Sequence, residues 1–251
     1  MTTHIEAAPR PSFLSHVSYY IRFGLVLTWG LLVTSLFLPV AVLLWGNTSL
    51  SWAYARTLAW GALKLLGIKV EVEGREHLKT RPGIFLGNHQ SNFDILFHGS
   101  VYPRHTVVIG KRELLKVPLF GLFFAATGNI LIDRRDRSQA VAGLADAVST
   151  LQQRSTNIWI FPEGTRSKGT GLGEFKKGGF HMAAAARAPI IPVVCAPVDA
   201  VLDVAGKTVH GGTLRIKVLP PISTLGVTEA DLDGLRADVE RKFRQTLATL
   251  S

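Results

Sequence analysis

The residues with most scope for chemistry lie in Asn88-His89-Gln90-Ser91-Asn92-Phe93-Asp94, directly after the apolar run Gly83-Ile84-Phe85-Leu86-Gly87. Imidazole has the side-chain pKa nearest neutrality, so His89 could take a proton from a hydroxyl and pass it on. A carboxylate on its other ring nitrogen would hold the tautomer. On a regular helix, five residues turn through roughly 500°, which puts His89 and Asp94 on different faces. They can meet only if His89 lies in a loop and Asp94 in the first turn of a following helix. Ser91 as N-cap, with Phe93-Asp94-Ile95-Leu96-Phe97 continuing as helix, permits that arrangement. The same residues also support a purely structural reading, because Ser91-Asn92-Phe93-Asp94 matches a capping box in which Asp94 reaches back to the Ser91 amide.

Three further groups follow along the chain. Lys111-Arg112-Glu113-Leu114, with Pro118 and Gly121 beyond it, follows the apolar run Thr106 to Gly110. Phe161-Pro162-Glu163-Gly164-Thr165-Arg166-Ser167 ends the run Asn157 to Phe161, and Pro189-Ile190-Ile191-Pro192 opens another. Gly164 allows close backbone approach, and the planar guanidinium of Arg166 can bind a phosphate through two bonds, each contributing about 1.5–3 kcal/mol. Taken singly, the Lys111 group and the Asp133-Arg134-Arg135 run read first as solvated charge clusters flanking strands. No metal is expected, since His89, His98 and His105 lack zinc spacing and neighbouring cysteines. The Gly-rich stretch Gly164 to Gly179 has no G-x-x-x-x-G-K-[ST] run, so no nucleotide loop is expected either. Its Lys168, Lys176 and Lys177 suit contact with lipid headgroups or an acidic donor.

Taken together and in this order, the four groups resemble the sequence blocks of the glycerolipid acyltransferases, above all the 1-acylglycerol-3-phosphate (lysophosphatidate) acyltransferases. The resemblance implies transfer of a fatty acyl group from acyl-CoA or acyl carrier protein to the sn-2 hydroxyl of lysophosphatidic acid, with no cofactor. It implies that His89 is the base and that Asp94 orients it. Lys111 and Arg166 would face the phosphate, while Glu163, Gly164 and Thr165 would order the turn or touch the glycerol. Pro189 to Pro192 would be either a buried strand entry or a wall for the acyl donor. The helix Leu119 to Ala126 would be either core or the lining of an acyl-chain slot. Two alternatives remain at this point: a different lysolipid acceptor, such as a lyso-aminolipid, or a non-catalytic module that binds anionic membrane.

Composition bears on the partner. Twenty-eight Lys and Arg against 18 Asp and Glu give a formal charge of +10. Such a balance points to an anionic partner. Hydrophobic residues make up 47 % of the chain, which disfavours nucleic acid and favours membrane. The single Cys195 excludes an internal disulfide and fits a site facing the reducing cytoplasm. No charge occurs between Arg22 and Arg56, a run of 33 positions. Phe23 to Gly46 as a helix would be about 36 Å long, but Pro39 would leave only about 24 Å uninterrupted, short of a bilayer core of roughly 30 Å. Asn47-Thr48-Ser49 reads as a turn with an N-cap, opening a second helix from Leu50 to Leu66. Both a helical hairpin dipping into one leaflet and a single spanning helix fit these lengths; the resemblance to the acyltransferases, whose relatives place a two-helix element here, favours the hairpin. Ala53-Tyr54-Ala55 resembles a signal cleavage site, but the apolar run is too long for one.

From Ile68 onward, short apolar strands alternate with helices. The pattern predicts strands at Ile68 to Val72, Gly83 to Gly87, Thr106 to Gly110, Asn129 to Ile132, Asn157 to Phe161, Ile190 to Ala196 and Thr213 to Val218. Helices are predicted at Phe93 to Ser100, Leu119 to Ala126, Arg137 to Gln153, Lys177 to Arg187 and Thr228 to Leu250. The expected architecture is α/β, a mostly parallel sheet flanked by helices and preceded by a membrane-embedded two-helix element. Residues 1–16 would be a flexible tail, 17–67 the membrane anchor and 68–251 the catalytic domain on the cytoplasmic side. Ligands on such sheets bind beyond the carboxyl ends of the strands, where His89 and Glu163 both fall.

Overall fold

The computed structural model describes residues 12–133, 137–167 and 169–250. Arg134, Arg135, Lys168 and the first eleven residues of the expected tail lie outside the described residues. The first helix, α1, runs Phe13–Leu43, and Ser12 caps it by accepting the Ser15 amide. Residues 13 to 16, read from the sequence as tail, therefore belong to this helix. Pro39 does not break it: the helix runs unbroken for 31 residues, about 46 Å. Pro39 costs one helical hydrogen bond on an exposed face, while Val33, Thr34 and Ala41 on the opposite face are buried and hold both sides of it in line. The buried residues Tyr19, Val26 and Val33 recur every seven positions, the spacing of a packing stripe.

A second helix, α2, spans Thr48–Leu66, with Asn47 accepting the Ser49 amide at its start and Gly67 in the left-handed conformation at its end. The two helices pack as an antiparallel pair. Gly61 lets the Trp29 ring lie directly on the α2 backbone, and the Trp29 indole N–H donates to the Leu58 carbonyl at 3.2 Å.

The strands are β1 (Ile68–Glu73), β2 (Ile84–Gly87), β3 (Thr106–Lys111), β4 (Ile130–Ile132), β5 (Asn157–Ile160), β6 (Ile190–Cys195), a short hairpin of β7 (Leu202–Asp203) with β8 (Thr208–Val209), and β9 (Gly212–Val218). Between them lie α3 (Asp94–Gly99), α4 (Phe120–Ala126), α5 (Arg137–Arg154), α6 (Gly178–Ala186) and the terminal α7 (Leu232–Leu250). Seven strands form one sheet in the order β1-β9-β6-β2-β5-β3-β4. Every adjacent pair is parallel except β6 with β9. Among the described residues, the β7–β8 hairpin was not foreseen, because two-residue strands carry no readable periodicity.

The three central strands β6, β2 and β5 are buried at every position, since α5, α6 and α7 cover one face and α2 with α3 the other. A strand enclosed on both faces gains from apolar residues on both, which is why these read as unbroken apolar runs. All three point the same way, so their carboxyl ends open onto a single rim.

Candidate active site

That rim carries the residues singled out from the sequence. Beyond β2 the chain turns away at Asn88, whose side chain continues the ladder to β6: its amide donates to the Cys195 carbonyl at 2.9 Å and its oxygen accepts the Cys195 amide at 2.8 Å. Gln90 makes a second clamp, donating to the Cys195 and Ala196 carbonyls and accepting the Val198 amide at 3.1 Å. His89 is thus held between two side chains anchored on the neighbouring strand. Sequence reasoning assigned Asn88 and Gln90 no role. Their amides alternate about His89, but the β6 backbone they bind lies more than a hundred residues away.

His89 meets Asp94. The His89 Nδ1–H donates to Asp94 Oδ2 at 2.5 Å, and the same oxygen accepts the amides of Gln90 at 2.7 Å and Ser91 at 3.1 Å. The dyad and the capping return to Ser91 are therefore not alternatives, because one carboxylate oxygen does both. Ser91 is not the N-cap; α3 begins at Asp94, and the Ser91 hydroxyl instead accepts the Phe93 amide inside the preceding turn. Asp94 is 2 % exposed, whereas the His89 side chain is 24 % exposed. Nδ1 is occupied by the carboxylate, and the ring stacks on Phe161 at 4.2 Å between centroids. This leaves Nε2 as the basic nitrogen, without a hydrogen-bond partner among the described residues.

The turn after β5 closes the cluster. Glu163, only 3 % exposed, accepts the His89 amide on Oε1 at 2.6 Å and the Gly173 amide on Oε2 at 2.8 Å. Burial pushes its carboxyl above the usual range, against the lowering effect of those two bonds. Gly164 takes a left-handed φ of 70° that other residues adopt at a cost, and the Ser167 amide donates to the His89 carbonyl at 2.8 Å. His89, Asp94, Glu163 and Gly164 thus form one bonded unit, with Thr165 and Arg166 exposed at its edge. Neither Arg166 nor Lys111 is paired with a carboxylate among the described residues. Lys111 is not in the bonded unit. It sits exposed at the end of β3, two strands from β2 and so roughly 10 Å across the rim. Lys177, expected to meet headgroups or donor, is taken up by Asp233 of α7 at 2.9 Å. Pro189 to Pro192 enters the fully buried β6, the strand-entry reading of that block. Among the described residues no group of three or more His, Cys, Asp or Glu could hold a metal.

An imidazole oriented by a carboxylate, with its outer nitrogen open on a sheet rim that also carries Arg166 and Lys111, can act as a base toward a hydroxyl. The comparisons with known proteins agree with that chemistry. The family model described as Acyltransferase matches residues 69–196, so the chain belongs to the acyltransferase family. Within it, the chain is 36 % identical over 187 residues, 74 % of its own length and 76 % of the relative's, to a protein of Escherichia coli named 1-acyl-sn-glycerol-3-phosphate acyltransferase. It is 34 % identical to the alpha form of that enzyme from Mus musculus over 231 residues, covering 91 % of this chain and 81 % of the mouse protein. The fold matches the crystal structure of the 1-acyl-sn-glycerophosphate acyltransferase of Thermotoga maritima with a TM-score of 0.73, at 23 % identity over 94 % of this chain and 95 % of that one. The chain is a member of the 1-acyl-sn-glycerol-3-phosphate acyltransferases.

Proposed function

We propose that this enzyme moves a fatty acyl group from a thioester, acyl-CoA or acyl carrier protein, to the sn-2 hydroxyl of lysophosphatidic acid, producing phosphatidic acid. The observation that carries the mechanism is the His89 ring, tied at Nδ1 to the buried Asp94 and open at Nε2. His89 Nε2 takes the hydroxyl proton as the oxygen attacks the thioester carbonyl. The carbon–sulfur bond then breaks, and the departing thiolate takes the proton back from His89, so no covalent acyl-enzyme is needed. Asp94 holds the ring and stabilises its transient positive charge. A base placed in this way contributes about 10²–10⁴-fold. Arg166 and Lys111 receive the acceptor's phosphate, and Glu163 orders the turn with Gly164 and Thr165.

Membrane attachment belongs to the same proposal. α1 is long and apolar enough to cross a membrane by length and composition. Both its middle and its C-terminal end, however, lie against the rest of the chain. About a third of the way along, Phe23 meets Phe93 at 6.0 Å between ring centroids and Arg22 donates to the Leu66 carbonyl at 2.8 Å. At the tip of the hairpin, the Gly46 amide donates to the Ala126 carbonyl at 2.7 Å. A helix spanning the bilayer would carry one end away from the catalytic domain. One lying along that domain supports the one-leaflet hairpin; placing the domain on the cytoplasmic side is part of the proposal, and the free Cys195 fits that reducing compartment. Its outward residues Leu25, Leu32, Leu36 and Leu43 are exposed and apolar, as a lipid-facing surface requires.

The test is acyl transfer by the purified, membrane-reconstituted enzyme with labelled acyl-CoA and a panel of lysolipids. The wild type is expected to give phosphatidic acid, and His89→Ala to lose nearly all turnover while staying folded and membrane-bound. Wild-type turnover by His89→Ala would overturn the mechanism, and labelling of a different lysolipid would overturn the acceptor.

A further inference from the structure

The catalytic domain carries an apolar surface that neither its core nor its site explains. Beyond α2, seven large apolar side chains are exposed among the described residues, and four of them fall within eight positions: Leu115 at 47 %, Val117 at 44 %, Leu119 at 42 % and Leu122 at 48 %. Scattered single exposures are ordinary; a cluster of this kind marks an interaction surface. The segment is a 3₁₀ turn, Arg112–Lys116, followed by α4. The two pack tightly, because Gly121 lies directly against the backbone of Leu114 and Leu115, where a Cβ would come within 2.5 Å of the Leu114 carbonyl oxygen.

The backbone itself pushes this surface outward. Leu119 has φ 60° and ψ −53°, and the Phe120 amide donates to the Pro118 carbonyl at 2.6 Å, which together make a tight γ-turn that costs energy for a side-chain-bearing residue. The buried side of α4 fixes where the segment sits. Phe123 packs on Tyr54 of α2 at 4.1 Å and on Phe37 of α1 at 6.5 Å between centroids. Ala126 bonds the tip of the α1–α2 hairpin, whose Leu43, Leu44 and Trp45 are exposed. The segment therefore lies next to the hairpin and its exposed apolar tip. Lys111 and Lys116, both exposed, lie in or beside it.

We propose that residues 115–122 are a second lipid-contacting element, which dips the rim of the catalytic domain into an anionic bilayer while Lys111 and Lys116 sit at headgroup level. The inference rests on the membrane attachment proposed above and extends it from the hairpin to the domain. Apolar side chains of such an element sit about 5–10 Å into the headgroup and acyl boundary, and the flanking lysines are drawn to an anionic surface. It also gives the acceptor a short path, since the element follows directly on Lys111 at the end of β3.

The experiment places an environment-sensitive fluorophore on single cysteines in the full chain, reconstituted in vesicles of phosphatidylcholine and phosphatidylglycerol, with Cys195, which is buried, replaced by Ala. The labelled positions are Leu115→Cys and Leu122→Cys in the element, Leu36→Cys on α1, and Leu225→Cys, which is exposed at the opposite rim. Lipids brominated in the upper acyl chain should quench the labels at 115, 122 and 36 at least about twofold and leave 225 unchanged. Quenching at 36 without quenching at 115 and 122 overturns this inference and leaves the hairpin reading standing. No quenching at 36 overturns both. Labels at 115 and 122 that are shielded from aqueous iodide yet untouched by brominated lipid would mean that a protein surface, such as a second copy of the chain, covers the element, which also overturns it.

Discussion

Glu163→Gln separates two roles for this residue, ordering the turn and touching the acceptor. Both carboxylate oxygens are engaged by backbone amides, His89 at 2.6 Å and Gly173 at 2.8 Å, and the side chain is buried. The substituted amide has one oxygen and can satisfy only one of the two N–H groups; the other would face an NH₂. A buried donor without an acceptor costs about 1–3 kcal/mol, and loss of the charge weakens the surviving bond by about 1 kcal/mol. Relief of the buried charge offsets part of this, leaving about 2–3 kcal/mol net against the His89 loop. At about 1.4 kcal/mol per decade, kcat should fall roughly 30–140-fold, while KM for lysophosphatidate stays within about threefold.

Steady-state thiol release at varied acceptor concentration gives both constants. A tenfold or greater rise in KM with kcat intact would refute the positioning role and put Glu163 on the glycerol. The pH dependence supplies a second check. Burial raises the folded-state pKa of Glu163, so its contribution to stability is present below the unfolded pKa and is lost as pH rises through the folded one. The stability of wild type relative to Glu163→Gln should therefore decline with rising pH. Its kcat advantage should do the opposite, because only the ionised carboxylate accepts both amides.

Further outcomes follow from other parts of the structure. Arg166→Ala should raise KM for lysophosphatidate about 10–100-fold, the equivalent of the roughly 1.5–3 kcal/mol of a charge-assisted contact, with a smaller effect on kcat in the same assay. His98 is buried, donates Nε2–H to the Asn88 carbonyl at 2.9 Å, and is held below its usual pKa by that burial. Its contribution to stability is present above the unfolded pKa of 6.5 and is lost as pH falls, by up to about 1.4 kcal/mol per pH unit. His98→Gln should flatten the acid side of the thermal-midpoint profile in detergent; an unchanged slope would show that His98 does not govern it. Gly61→Ala would place a methyl group inside the Trp29 ring, so it should lower the thermal midpoint by the equivalent of about 1–3 kcal/mol and loosen α1 from α2, read as protease sensitivity of the hairpin.

Much of this protein was legible in its sequence because the physics involved is local. The central strands are enclosed on both faces, so they had to be apolar throughout, and Ile84–Gly87, Asn157–Ile160 and Ile190–Cys195 emerge within a residue of where composition alone places them. His89 and Asp94 were readable as partners because five residues separate them and one loop-to-helix turn brings them together. What the chain could not display were contacts between distant segments. The clamps of Asn88 and Gln90 on Cys195, the two amides gathered by Glu163, and the docking of the hairpin tip on Ala126 each depend on which strands lie side by side. Pro39 shows the same division: its helix-breaking tendency is a local property, while the packing of the helix around it is a tertiary one, and here the packing prevails. Periodicity and propensity act over a few residues and so can be read from the chain. The register of a crossed sheet, and the side chains it brings within hydrogen-bonding reach, come into being only when the chain closes on itself.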